Sequence, residues 1–66
     1  MRRSVRLRQQ RAALIQQASA ILDAAESASR ALTSDEVTNH DGFMAQIEAL
    51  AGEITRAEQQ EALDAE

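Results

Sequence analysis

Few side chains in this 66-residue sequence could do chemistry, and their spacing points away from catalysis. The single histidine, His40, precedes Asp41. Adjacent residues on a helix point about 100° apart, so the two do not form a base with its orienting acid. His40 reads instead as a residue at the edge of a helix seam. There is no cysteine and no lysine, and no glycine-rich phosphate loop or metal-ligand cluster. The acidic residues scatter over helical faces, as solvated surface does. The expectation is a protein that is not an enzyme, with no catalytic residue, no metal and no cofactor.

The arginines are the other group with chemical potential. Arg2, Arg3, Arg6, Arg8 and Arg11 crowd the first eleven residues, where they could hold phosphates. No aromatic residues are interleaved for base stacking, and no recognition-helix motif follows. The last nine residues carry Glu58, Glu61, Asp64 and Glu66 without a base. Pairing within the chain, Arg8 with Glu61 and Arg11 with Glu58, is therefore favoured over nucleic acid as a partner.

Such pairing needs a chain that folds back on itself, and Leu32-Thr33-Ser34-Asp35-Glu36-Val37 provides the corner. Thr33 is a good N-cap, and Glu36 three residues on can reach back to close a capping box. Leu32 and Val37 flank the box at hydrophobic-staple positions, and Asp35 suits the positive end of the helix dipole. Helix 1 is expected over about residues 5–31, the corner at 32–35 and helix 2 over about 34–63. The fold class is all-α: an antiparallel two-helix hairpin, coiled-coil-like, joining others in an oligomeric helical bundle.

Heptad spacing sets the expected seam. In the first arm Leu7, Leu14, Ile21 and Ala28 interleave with Arg11, Ala18, Ala25 and Leu32. In the second, Val37, Met44 and Ala51 interleave with His40, Ile47 and Ile54. Ile15 and Leu22 on one arm, and Phe43, Leu50 and Ala57 on the other, form flanking rows. Ile15, Leu22, Phe43 and Leu50 are the expected oligomer contacts. The step from Leu32 to Val37 is out of phase with a continuing heptad, so one unbroken rod would swing its apolar face by about 140°. The chain must turn.

A competing corner at Asn39-His40-Asp41-Gly42 has turn-like composition. Antiparallel partners should have residue numbers with a constant sum, and this decides against it. The capping-box corner pairs Leu32 with Val37, Ala28 with His40, Ala25 with Met44, Ile21 with Ile47, Ala18 with Ala51 and Leu14 with Ile54. Every sum is then 68 or 69. Glu26 and Arg30 are expected to pair along helix 1. Gly42 reads as drift on a tolerant face; for Gly52, drift and close helix contact stay equally open.

Composition agrees with long helices. Alanine dominates, proline is absent, and Phe43 is the only aromatic residue. So short a chain buries only about 60% of its unfolded surface, so its stability alone should be marginal. No apolar run approaches the roughly 18 residues of a membrane span, and no signal-peptide core follows the arginines. No membrane partner is expected of what reads as a soluble chain.

With these residues in place, the chain resembles the N-terminal delta (scaffolding) domain of tailed-phage major capsid proteins. The likeness runs through Arg8-Gln9-Gln10-Arg11-Ala12-Ala13-Leu14 and Ala20-Ile21-Leu22-Asp23-Ala24-Ala25-Glu26. It continues through Leu32-Thr33-x-x-Glu36, Asp41, Ile47-Glu48-Ala49-Leu50 and Ile54-x-Arg56-Ala57-Glu58. The family usually has an aromatic where this chain has His40, and helix formers at Gly42 and Gly52. The resemblance implies a built-in scaffold inside the procapsid, assembled in the bacterial host cytoplasm. Its implied partners are other copies of itself, the capsid subunits, and the phage maturation protease that removes it. It also implies that Met1 is a true start and that a larger shell-forming protein follows Glu66. A free-standing coiled-coil adaptor or regulatory protein with one protein partner is the alternative.

Overall fold

A computed structural model describes residues 2–65. Two helices, α1 (Arg3–Ser27) and α2 (Ser34–Asp64), lie antiparallel in a rod with extents of 53 × 16 × 12 Å. The all-α hairpin expected from the heptads is what forms, and among the described residues there is no strand.

The start of α2 follows the capping chemistry in full. The Thr33 hydroxyl accepts from the Glu36 amide at 3.2 Å, and the Glu36 carboxylate accepts from the Thr33 amide at 2.9 Å. The end of α1 departs from expectation: the helix stops at Ser27, four residues before Ala31. Ala28 closes it, Ser29 adopts a left-handed φ of 51°, and two backbone bonds finish the end. The Ser29 amide donates to the Glu26 carbonyl at 3.0 Å and the Arg30 amide to the Ala25 carbonyl at 3.1 Å. That is a Schellman stop, normally made by glycine. The corner thus spans 28–33 rather than 32–35, and Ala28 and Leu32 leave the seam of α1. Arg30, past the helix end, cannot stack on Glu26. It turns instead to Glu36, donating through both terminal nitrogens at 2.6 and 3.0 Å.

An earlier stop brings the chain back sooner, and the register moves accordingly. Ser4 bonds Glu61, Arg8 bonds Glu58 and Arg30 bonds Glu36, pairs whose numbers sum to 65, 66 and 66. The expected sum of 68 or 69 is too large by about three residues, close to one helical turn.

Burial shows which faces meet. In α1, Ser4, Ala18 and Ala25 are buried, with Leu7, Arg11, Leu14 and Ile21 half-buried. These are the heptad positions as far as Ala25, with Ser4 added at the open end and Ala28 and Leu32 lost at the corner. In α2, Ile54 and Ala57 are buried, while Glu36, His40, Phe43, Ile47, Leu50 and Glu61 are half-buried. Here the seam runs through Phe43, Leu50 and Ala57, not through Val37 and Met44, which are exposed; Ala51 is half-buried beside it. Relative to expectation α2 is rolled by about 50°, given 100° per residue. The roll exchanges Val37 and Met44 for Phe43 and Leu50, which remove more apolar surface from water.

Candidate interaction surface

The seam is thin. Its core consists of Ala18, Ala25, Ile54 and Ala57, and among the described residues no large side chain is fully buried. Alanines on α1 let the larger side chains of α2 approach, so the hairpin spends little of its apolar surface internally. The remainder is displayed on two flanks of different chemistry.

One flank is apolar. Ile15 and Leu22 of α1 and Val37 and Met44 of α2 remain 47%, 45%, 43% and 43% exposed. In the observed register Ile15 lies level with Ala51 and Leu22 with Met44, so the four line one side of the rod. Ile15 and Leu22, two of the residues expected as oligomer contacts, are exposed on this flank. Phe43 and Leu50 are not, because the roll of α2 takes them into the seam and brings Val37 and Met44 out. The substitution was legible only once the register was known.

The opposite flank is amide-rich. Gln10, Gln17, Gln46 and Glu53 rim a shallow open groove over Ala13, Leu14, Ala49 and Leu50. A side chain on α2 thus lies on the apolar or the amide flank according to a single-residue roll.

At the open end the expected partners are exchanged. Arg8 pairs with Glu58 at 2.5 Å, not with Glu61, and Arg11 does not reach Glu58 but sits half-buried in the seam. Both members of the Arg8–Glu58 pair keep about half their surface in water, so it adds little stability. Glu61 instead accepts from the Ser4 hydroxyl at 2.7 Å and from the Ser4 amide at 3.0 Å. Those bonds, with Arg2 and Arg8 nearby, hold its carboxyl below the usual carboxylate range. The Arg30 guanidinium and the Thr33 amide lower the Glu36 carboxyl further, to about 2.

Charge is also divided along the rod. Around the open end six arginines (Arg2, Arg3, Arg6, Arg8, Arg11, Arg56) meet four carboxylates (Glu53, Glu58, Glu61, Asp64), a net charge of +2 among the described residues. Around the corner six carboxylates (Asp23, Glu26, Asp35, Glu36, Asp41, Glu48) meet Arg30 alone, a net charge of −5. Among the described residues no three His, Cys, Asp or Glu side chains group closely enough to hold a metal ion. No helix there is long and apolar enough to cross a membrane. Comparison with protein-family models, curated proteins and solved structures gives no match.

Proposed function

We propose that this hairpin is a built-in scaffolding domain of the delta type, belonging to a tailed-phage major capsid protein. It would direct procapsid assembly through helix–helix association before a maturation protease removes it. The observation that carries the reading is the apolar flank of Ile15, Leu22, Val37 and Met44, left uncovered by a hairpin with almost no core. A rod this thin gains stability chiefly by associating, and association strengthens when many copies are clustered on a growing shell. Once severed from the shell, each rod returns to its weak intrinsic affinity and can depart. The Leu32-Thr33-x-x-Glu36 corner, at the heart of the resemblance, forms the capping box that starts the second arm. No catalytic, metal or cofactor role is part of this reading, and nucleic acid is not a proposed partner.

The test is the gene itself and its product. A reading frame continuing past Glu66 into a shell domain of some hundreds of residues is expected. Expression of that protein should yield procapsids, and removal of residues 2–65 should abolish them. A stop codon shortly after Glu66 would overturn the capsid role and favour a free-standing adaptor with one protein partner.

A further inference from the structure

The apolar flank and the charge division, taken together, select an occupant. We infer that two copies of this chain dock flank to flank and head to tail, each basic open end lying against the acidic corner of the other. Face-to-face docking about a two-fold axis allows two polarities. The parallel one stacks α1 on the partner's α2 and sets like-charged ends together, +2 on +2 and −5 on −5. The antiparallel one stacks α1 on the partner's α1 and sets unlike ends together, so electrostatics chooses it.

The contacts follow from the residues on that flank. With the axis crossing near Ser19, Ile15 of one copy meets Leu22 of the other, and the exchange is reciprocal, as a self-complementary interface requires. Met44 takes the corresponding place against the partner's Ala51, a large side chain against a small one. At the rim of the flank the open end carries Arg2 and Arg8 beside Glu58 and Glu61, with the surplus arginines Arg3 and Arg6 close by in sequence, and the corner of the partner brings Glu26 and Asp41. A four-helix bundle results, in which the second apolar row finally leaves water.

This inference deepens the assembly role proposed above by naming the partner and its polarity. A gene without a shell domain would overturn that role and leave the dimer untouched. The experiment is sedimentation equilibrium of the 66-residue chain up to about millimolar concentration, combined with cysteine cross-linking, for which the absence of native cysteine gives a clean background. A reversible dimer that weakens as salt rises is expected. The double change Leu22→Gln, Met44→Gln should weaken it roughly tenfold or more. Both side chains are already exposed in the hairpin, so circular dichroism of the two chains at dilutions where each is monomeric should report the same helicity. Ser19→Cys should close a disulfide with itself, near the two-fold axis. A strictly monomeric chain would overturn the inference. So would a Ser19→Cys chain that couples only to a Glu48→Cys chain, which is the parallel pattern.

Discussion

Glu61, in the last turn of α2, closes the N-terminus of α1 by accepting from both the amide and the hydroxyl of Ser4. The first four amides of a helix lack internal partners, and the N-cap of α1, Arg2, supplies no side-chain bond, nor is there an acid in the first turn. The carboxylate that usually comes from the same helix therefore comes from the other one. Its negative charge also lies where the α1 dipole favours it. Cap, dipole and hairpin closure thus depend on a single side chain.

Glu61→Ala should accordingly fray the first turns of α1 and leave the buried Ser4 hydroxyl without a partner. Amide exchange at Ser4 and Val5 should accelerate, while exchange in the middle of α2 stays unchanged. Glu58→Ala removes only the exposed pair to Arg8 and should leave those amides nearly as protected as before. Equal acceleration by the two substitutions would contradict a cap.

Much of this hairpin can be read from residue types. The capping box, the two helical arms and the α1 seam as far as Ala25 follow from local chemistry and heptad spacing, because each depends on residues close in sequence. The α2 seam does not. Val37, Met44 and Ala51 repeat as regularly as Phe43, Leu50 and Ala57, and only the summed burial against α1 separates the two rows. Register was equally hidden, since it hinges on where α1 stops. Ser29 gives little warning of that stop, because serine in a left-handed conformation is uncommon and glycine is the usual signal. Glu61 meets Ser4 and not Arg8 for the same reason: a shift of about one turn moves every charge to a new neighbour.

Ser29 is also a site where stability has been left unrealised. A non-glycine residue at positive φ costs about 1–2 kcal/mol, a cost that glycine largely avoids. Ser29→Gly should therefore stabilise the hairpin, by up to about 1 kcal/mol after the added freedom of the unfolded chain is counted. Thermal melts followed by circular dichroism measure it. Ser29→Val should do the opposite, because a β-branched side chain suits that conformation least. Thr33→Ala, which removes the cap on the other side of the corner, should cost about 1 kcal/mol.

Acid should act first on the same corner. The Glu36 carboxyl, held at about 2 by Arg30 and the Thr33 amide, lies below its ordinary value of 4.5. The stability this confers is fully present above the unfolded value and is lost as pH falls through the folded one. The hairpin should thus melt at progressively lower temperature between about pH 4.5 and 2. Glu61, also lowered, contributes in the same direction. In Glu36→Gln the decline across that window should be visibly shallower, although the variant is less stable at neutral pH. An unchanged slope would place the acid sensitivity elsewhere.

Cysteine pairs read the register directly. Ala18 and Ile47 share the pairing sum of Ser4 with Glu61, whereas Ala18 and Ala51 belong to the longer sum that the heptads alone suggest. The Ala18→Cys, Ile47→Cys chain should close an internal disulfide readily at low protein concentration. The Ala18→Cys, Ala51→Cys chain should close more slowly, because its sulfurs lie about one turn out of level. The reverse order of rates would restore the longer sum and return Val37 and Met44 to the seam.

The two glycines of α2 offer a last test of how loosely the hairpin is built. A methyl group added at Gly42 would meet nothing within 4 Å, and one at Gly52 would meet only the end of the Arg56 side chain at 3.5 Å. Neither glycine is needed for a close approach of the helices, which settles the question the sequence left open for Gly52. Each costs about 1 kcal/mol in a helix interior relative to alanine. Gly42→Ala and Gly52→Ala should therefore each stabilise the chain by up to that amount. The sites lie ten residues apart, about 15 Å along α2, so the effects should add. Denaturant melts of the two single variants and the double variant check both statements. If Gly52→Ala instead destabilises, the helices at that level approach more closely than the seam of small residues indicates. The thin core formed by Ala18, Ala25, Ile54 and Ala57 would then be tighter than its exposure suggests.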